Sequence, residues 1–214
     1  MDKPNPKIWR KRPKQDRSEQ TIRAILEAAE EKFVAKGFHH TTAEDIATRA
    51  GVGVGSLYDY FPNKAAIALA LLESKAQMVA EHSRSFLVEK GNEPIEQNLP
   101  RVIRGLFDGY KRHRRVLIDL VDDVAELRSA RVYSLDRMIH RASLMYLQQY
   151  QDRFPGRDLE LTHAFLIHLF TASVKHYLAA PEPPLPEDEF LNRLSEVLIN
   201  HLVGPGKALE PPAG

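Results

Sequence analysis

The chain contains no cysteine. That removes disulfide frameworks, thiolate metal sites and thiol nucleophiles together, and it suits a reducing compartment such as the cytoplasm. No apolar run approaches the roughly 18 residues that a membrane span requires, so no membrane partner is expected. The basic start, MDKPNPKIWRKRPKQ, is followed by no apolar stretch and does not read as a secretory signal. The nine histidines show neither His-x-x-x-His nor His-x-His spacing, so no metal site is expected. Convincing period-two alternation is missing, which excludes a sheet, and so is any internal repeat. There is no nucleophile–base pair, and no cofactor fingerprint. Gly51-Val-Gly53-Val-Gly55 has neither the spacing of a phosphate loop nor a strand before it. The expectation is a protein that is not an enzyme and carries no cofactor.

What is present is a set of long apolar-periodic segments separated by prolines. Of 14 prolines, only Pro100 falls inside a stretch that reads as helical. Hydrophobic residues make up 43% of the 214 residues and charged residues 28%, the balance of an ordinary globular chain. All-α is the expected class, with about nine helices. The first runs from about Ser18 to Lys36, with Ile22, Ile25, Leu26, Ala29 and Phe33 on one face, and Gly37 ends it. A short helix follows, opened by a capping box at Thr41/Glu44 or at Thr42/Asp45, and closed by Gly51. A third covers about Gly55–Phe61, and a fourth about Lys64–Val88 with Asn63 as its cap. Further helices are expected over about 94–111, 115–128, 130–154, 158–180 and 187–203.

The net charge of +1 hides an asymmetry. Residues 1–64 hold 12 basic and nine acidic side chains, and the excess concentrates in an arm over residues 1–17, with seven basic residues, Arg10, Lys11 and Arg12 among them, against two acidic ones. A basic arm beside a candidate DNA reader has the charge that phosphate binding requires.

The segment Thr41–Lys64, TTAEDIATRAGVGVGSLYDYFPNK, is that candidate. Two short helices joined by a glycine turn make a helix-turn-helix. On a helical wheel Leu57 and Phe61 anchor the second helix, while Gly55 and Asp59 point away and Ser56, Tyr58 and Tyr60 flank. Tyrosine hydroxyls can donate to phosphate, and a glycine lets backbone come close to a duplex. Thr42 can offer its hydroxyl and amide to a phosphate, and Lys64 its charge. Asp59 is repelled by phosphate and is expected to pair with an arginine or stay solvated. A helical hairpin with both tyrosines packed inward is the alternative.

Ala28-Ala29, Phe33, Lys36-Gly37-Phe38, Thr41-Thr42, Asp45-Ile46-Ala47, Ala50-Gly51-Val52 and Gly55-Ser56-Leu57-Tyr58-x-Tyr60-Phe61-x-Asn63-Lys64 together resemble the DNA-binding domain of the tetracycline-repressor (TetR) family of bacterial transcription regulators. The resemblance covers about a quarter of the chain. It implies a homodimer that binds a palindromic double-stranded DNA operator, usually as a repressor, and responds to a small-molecule effector. It implies phosphate contacts from Thr42, Gly55, Tyr58, Tyr60 and Lys64, and places Val54 and Ser56 near base edges. The domains expected are the arm (1–17), a DNA-binding domain (18–65), a ligand-binding and dimerisation domain (66–204) and a disordered tail (205–214). Phe107, Tyr110, Arg137, His140, Met145, Tyr146 and His176 are the candidate ligand contacts. Phe165, Leu169, Leu191, Leu194 and Leu198, on two strongly apolar helices, are the candidate dimer contacts. A helical enzyme with a concealed site, or a protein-binding adaptor, remains as the alternative.

Overall fold

The computed structural model describes residues 16–88, 93–125, 127, 143–145, 147–148, 150–154 and 158–204. Regular structure among them is entirely helical. The elements are α1 (Asp16–Lys36), α2 (Ala43–Ala50), α3 (Val54–Tyr60), α4 (Lys64–Val88) and α5 (Ile95–Arg112). A π-helical stretch at Arg115–Leu120 leads into the single turn α6 (Val121–Asp123). A 3-10 turn at Gln151–Arg153 precedes α7 (Leu159–Ala179) and α8 (Glu187–Val203). The all-α class stands, and none of the described helices is long and apolar enough to cross a membrane.

Two expectations need revision or fall away. The helix expected over 115–128 opens into a π turn and stops at Asp123, where Val124 is extended (φ −116°, ψ 109°). The cause lies in the residues. Val116, Leu117, Ile118, Leu120 and Val121 are all buried, more consecutive positions than one α-helical stripe can turn inward. Arg114 and Arg115 both reach Asp119, at 3.4 Å. The helix expected over 130–154 lies mostly outside the described residues; of it, 143–145 and 147–148 are helical. The arm's Arg10, Lys11 and Arg12 and the tail also lie outside them.

Pro100 sits inside α5, as its place in a stretch that reads as helical implies. Helix α5 begins earlier because the amides of Gln97 and Asn98 both find the Pro94 carbonyl, at 3.0 and 3.1 Å.

The chain divides into two compact units, Met1–Val79 with Tyr110–Met138, and Ala80–Gly109 with Ile139–Gly214. This partition does not coincide with the boundary expected at residue 65. In the first unit Ile22, Ile25, Ala29 and Phe33 of α1 are buried together with Ile46, Leu57, Phe61 and Ile67. Glu30 and Lys75 pair at 2.6 Å, and the His39 ring lies 3.3 Å from the Asp123 carbonyl through Nε2. In the second unit Val102, Phe107, Leu166, Phe170, Val174, Leu194 and Leu198 are core residues. Tyr177 stacks on Phe190 (4.1 Å between ring centres), meets Phe107 edge-on at 5.8 Å, and donates from its hydroxyl to the Leu185 carbonyl. Arg153 grips Glu96 with two nitrogens, at 2.7 and 3.0 Å, and that hydrogen bonding lowers the Glu96 pKa below the usual glutamate value.

Candidate nucleic-acid interface

Helix α2 owes its start to Thr42. The Thr42 backbone is extended (φ −101°, ψ 164°), its Oγ1 accepts from the Asp45 amide at 3.1 Å, and Asp45 Oδ2 accepts from the Thr42 amide at 3.1 Å. This is a reciprocal capping box. Of the two caps the sequence offers, the structure uses Thr42/Asp45. Thr41 is otherwise engaged: it is buried, and its hydroxyl donates to the Gly37 carbonyl at 2.8 Å. The Thr42 amide is thus spent inside the protein and not offered to a phosphate, while its exposed hydroxyl keeps a proton that the capping bond does not use. Lys36 pairs with Asp45 at 2.9 Å, and this bond, with the Thr42 amide, takes the Asp45 pKa down to about 2.

Gly51 ends α2 in the left-handed region (φ 68°, ψ 29°), a conformation that side-chain-bearing residues resist. The turn sets α3 off in a new direction. Leu57 and Phe61 are fully buried and hold α3 down. Gly55, Ser56, Tyr58 and Asp59 are exposed, with Tyr58 at 38%, and Val54 and Tyr60 are half-buried. The alternative in which both tyrosines are sequestered does not hold for Tyr58. A Cβ added at Gly55 would meet nothing within 4 Å. Protein packing therefore does not demand glycine there, although glycine in a helix costs about 0.5–1 kcal/mol relative to alanine.

Lys64 departs from expectation. Its ammonium donates to the carbonyls of Phe38 (2.6 Å) and Thr41 (2.7 Å) and lies 4.3 Å from the centre of the Phe38 ring. Burial lowers its pKa from the usual lysine value. Two of its three N–H groups are committed to stapling the α1–α2 loop onto the start of α4. Asn63 caps α4 as expected, its Oδ1 accepting from the Ala66 amide at 2.8 Å.

In the second unit the candidate ligand contacts scatter. Phe107 is core, His176 and Met145 are exposed, and Tyr110 is a core residue of the first unit. None of these four lines the cavity found there, and Arg137, His140 and Tyr146 lie outside the described residues. That cavity lies among α5, Ser143, Leu147, α7 and α8, and Ser143 and His163 are the polar members among the described residues that line it. Sequence reasoning passed over both. The available signal was a histidine set in the apolar run of α7.

Of the candidate dimer residues, Leu191, Leu194 and Leu198 are buried within their own unit and Leu169 is half-buried. Their periodicity serves the core of their own unit, and of the three only Leu198 lines the cavity. Phe165 is 54% exposed, and Leu161 at 70% and Val197 at 52% stand out beside it on the same two helices.

A short capped helix, a left-handed glycine turn and a protruding second helix anchored by two apolar residues define a helix-turn-helix transcriptional regulator. Comparison with known proteins agrees. Residues 25–71 match the model described as bacterial regulatory proteins, tetR family. An uncharacterised helix-turn-helix regulator of Bacillus subtilis, YhgD, is 26% identical over 188 residues, spanning 83% of this chain and 94% of its own. Among solved structures, a TetR-family regulator from Mesorhizobium loti superposes with a TM-score of 0.71, at 21% identity, over 88% of this chain and 98% of its own. Thermus thermophilus FadR, a TetR-family repressor solved with lauroyl-CoA, gives a TM-score of 0.60 at 25% identity, over 90% and 98%. Over residues 25–71 the chain carries the DNA-binding module of the TetR family of bacterial transcription regulators, and its fold is that of solved regulators of that family.

Proposed function

We propose that the protein is a cytoplasmic, non-enzymatic repressor that binds a palindromic DNA operator as a homodimer and changes its hold on DNA when a small molecule enters the second unit. One observation carries the DNA assignment. On a helix held down by buried Leu57 and Phe61, Gly55, Ser56 and Tyr58 face outward, and the glycine answers no need of the protein itself. In this reading Gly55 lets the α3 backbone approach a phosphate, and the Thr42, Tyr58 and Tyr60 hydroxyls donate to neighbouring ones. Val54 and Ser56 meet base edges in the major groove, and Arg10, Lys11 and Arg12 add charge along the duplex. Lys64 positions the loop and contributes at most one further N–H.

One seven-residue helix offers little affinity by itself. Two copies held one duplex turn apart address two half-sites, and the exposed apolar surface around Leu161, Phe165 and Val197 is where a second copy would dock. The Thermus relative, solved with lauroyl-CoA, supports a small-molecule response here.

The test is selection of bound fragments from random DNA followed by salt titration. Enrichment of an inverted repeat is expected, with log affinity falling against log salt at a slope near −0.9 per phosphate contacted. Tyr58→Phe should weaken binding several-fold without changing stability. Unchanged affinity in that variant, or selection of no sequence at all, would overturn the reading.

A further inference from the structure

Asp59 is the one charged side chain of α3, whose sequence is VGSLYDY. At 3.6 residues per turn it falls about 180° from the midpoint of the two anchors, Leu57 and Phe61, at the centre of the exposed face. Gly55 lies one turn before it on that face and puts no side chain in front of it. The arginine partner that the sequence allowed for it is absent. Among the described residues Asp59 makes no hydrogen bond and no ion pair. Three cations of the same unit are engaged elsewhere: Lys36 on Asp45, Arg49 on Glu31, and Lys64 on the carbonyls of Phe38 and Thr41.

A bare carboxylate on that face weakens the approach to every duplex alike, unless the duplex donates to it. The major groove offers two donors, the N4 amine of cytosine and the N6 amine of adenine. Adenine sets its N7 acceptor beside the amine, and an ionised carboxylate, which only accepts, is repelled there. Guanine presents N7 and O6 and thymine presents O4, all acceptors. Cytosine is the base that a carboxylate favours, and the other three are penalised. The hydroxyls of Ser56 and Tyr58 both donate and accept, so they discriminate far less.

We propose that Asp59 accepts a hydrogen bond from a cytosine N4 amine in the major groove and so fixes a C·G pair at one position of each half-site. This rests on α3 being the DNA reader, and it names a base that the reading left open.

The experiment takes the full chain, Asp59→Ala and Asp59→Asn through selection from random DNA. The selected operator is then titrated beside a copy in which that C·G pair is T·A in both half-sites. The wild-type chain should enrich an inverted repeat with cytosine at one matched position per half-site. It should lose roughly five- to 150-fold in affinity for each pair replaced. Asp59→Ala, at an exposed position, should keep the urea midpoint and bind random DNA more tightly. It should lose the preference at that position alone and bind both operators equally. Asp59→Asn should move the preference there to adenine, whose N6 and N7 match an amide. Should the alanine variant not fold, the asparagine variant carries the same test. A selected motif identical in the variant and the wild-type chain would overturn the inference and leave the DNA reading standing. A wild-type chain that enriches no sequence removes the DNA reading, and this inference with it.

Discussion

Two residues of the reading unit look alike on paper and act differently in the fold. Gly55 sits in the first turn of α3 where a methyl group would meet only solvent. Gly55→Ala should therefore stabilise the isolated protein by roughly 0.5–1 kcal/mol, through reduced freedom of the unfolded chain. The same change should weaken operator binding if a duplex backbone takes the place of that solvent. Denaturant unfolding and DNA titration on one preparation check both signs, and a variant that gains stability and keeps full affinity would leave the glycine without a role. Lys64 runs the opposite way. Its ammonium holds two backbone carbonyls, so Lys64→Met should destabilise by about 2 kcal/mol, as loss of charge-assisted hydrogen bonds does. The midpoint of urea unfolding reads this directly. A DNA defect in that variant would arise chiefly from a displaced loop.

At the scale of the element, α2 depends on its cap. Thr42→Ala should cost about 1 kcal/mol, measured by thermal unfolding. The Asp45 half of the cap carries a pH signature. Its pKa falls from 3.8 to about 2 in the folded chain, so its contribution is complete above pH 3.8 and is lost as pH drops toward 2. The stability difference between the wild-type chain and Asp45→Asn should hold steady at higher pH and close over that interval. These local features are the ones legible in the sequence. A capping box spans four residues, a glycine stop needs one, and the Leu57/Phe61 spacing is a single helical turn. The Lys64 staple is illegible because its carbonyl partners lie 26 and 23 positions away. The π turn at Arg115–Leu120 is equally hidden, since an apolar run fits a buried α-helix as well. The Ser143–His163 pair needs two helices to meet before it exists, and the sequence marks only its histidine, set in the apolar run of α7.

For the whole molecule, assembly is the open axis of prediction. Leu191, Leu194 and Leu198 carry the apolar pattern that drew attention to α8, yet they are spent within one protomer. The surface left over is Leu161, Phe165 and Val197, with the Phe165 ring 5.0 Å from that of His201. Phe165→Glu places a charge there and should shift sedimentation from dimer to monomer while leaving the helical circular dichroism intact. Operator affinity should fall roughly a hundredfold as the second half-site becomes a separate encounter. Leu191→Glu should instead unfold the chain, because its surroundings are core. A Phe165→Glu variant that remains dimeric would move the docking face elsewhere.

The outward position of Ser56 has a practical corollary. In a chain without a single native thiol, Ser56→Cys creates one attachment point for a nitroxide, and it sits on the exposed side of α3. Pulsed electron resonance on the DNA-free protein would then return one inter-label spacing per pair of copies. A distribution centred at about 35 Å would mean that the duplex pitch is already written into the resting assembly. A broad or shifted distribution would mean that the duplex itself draws the two readers into step.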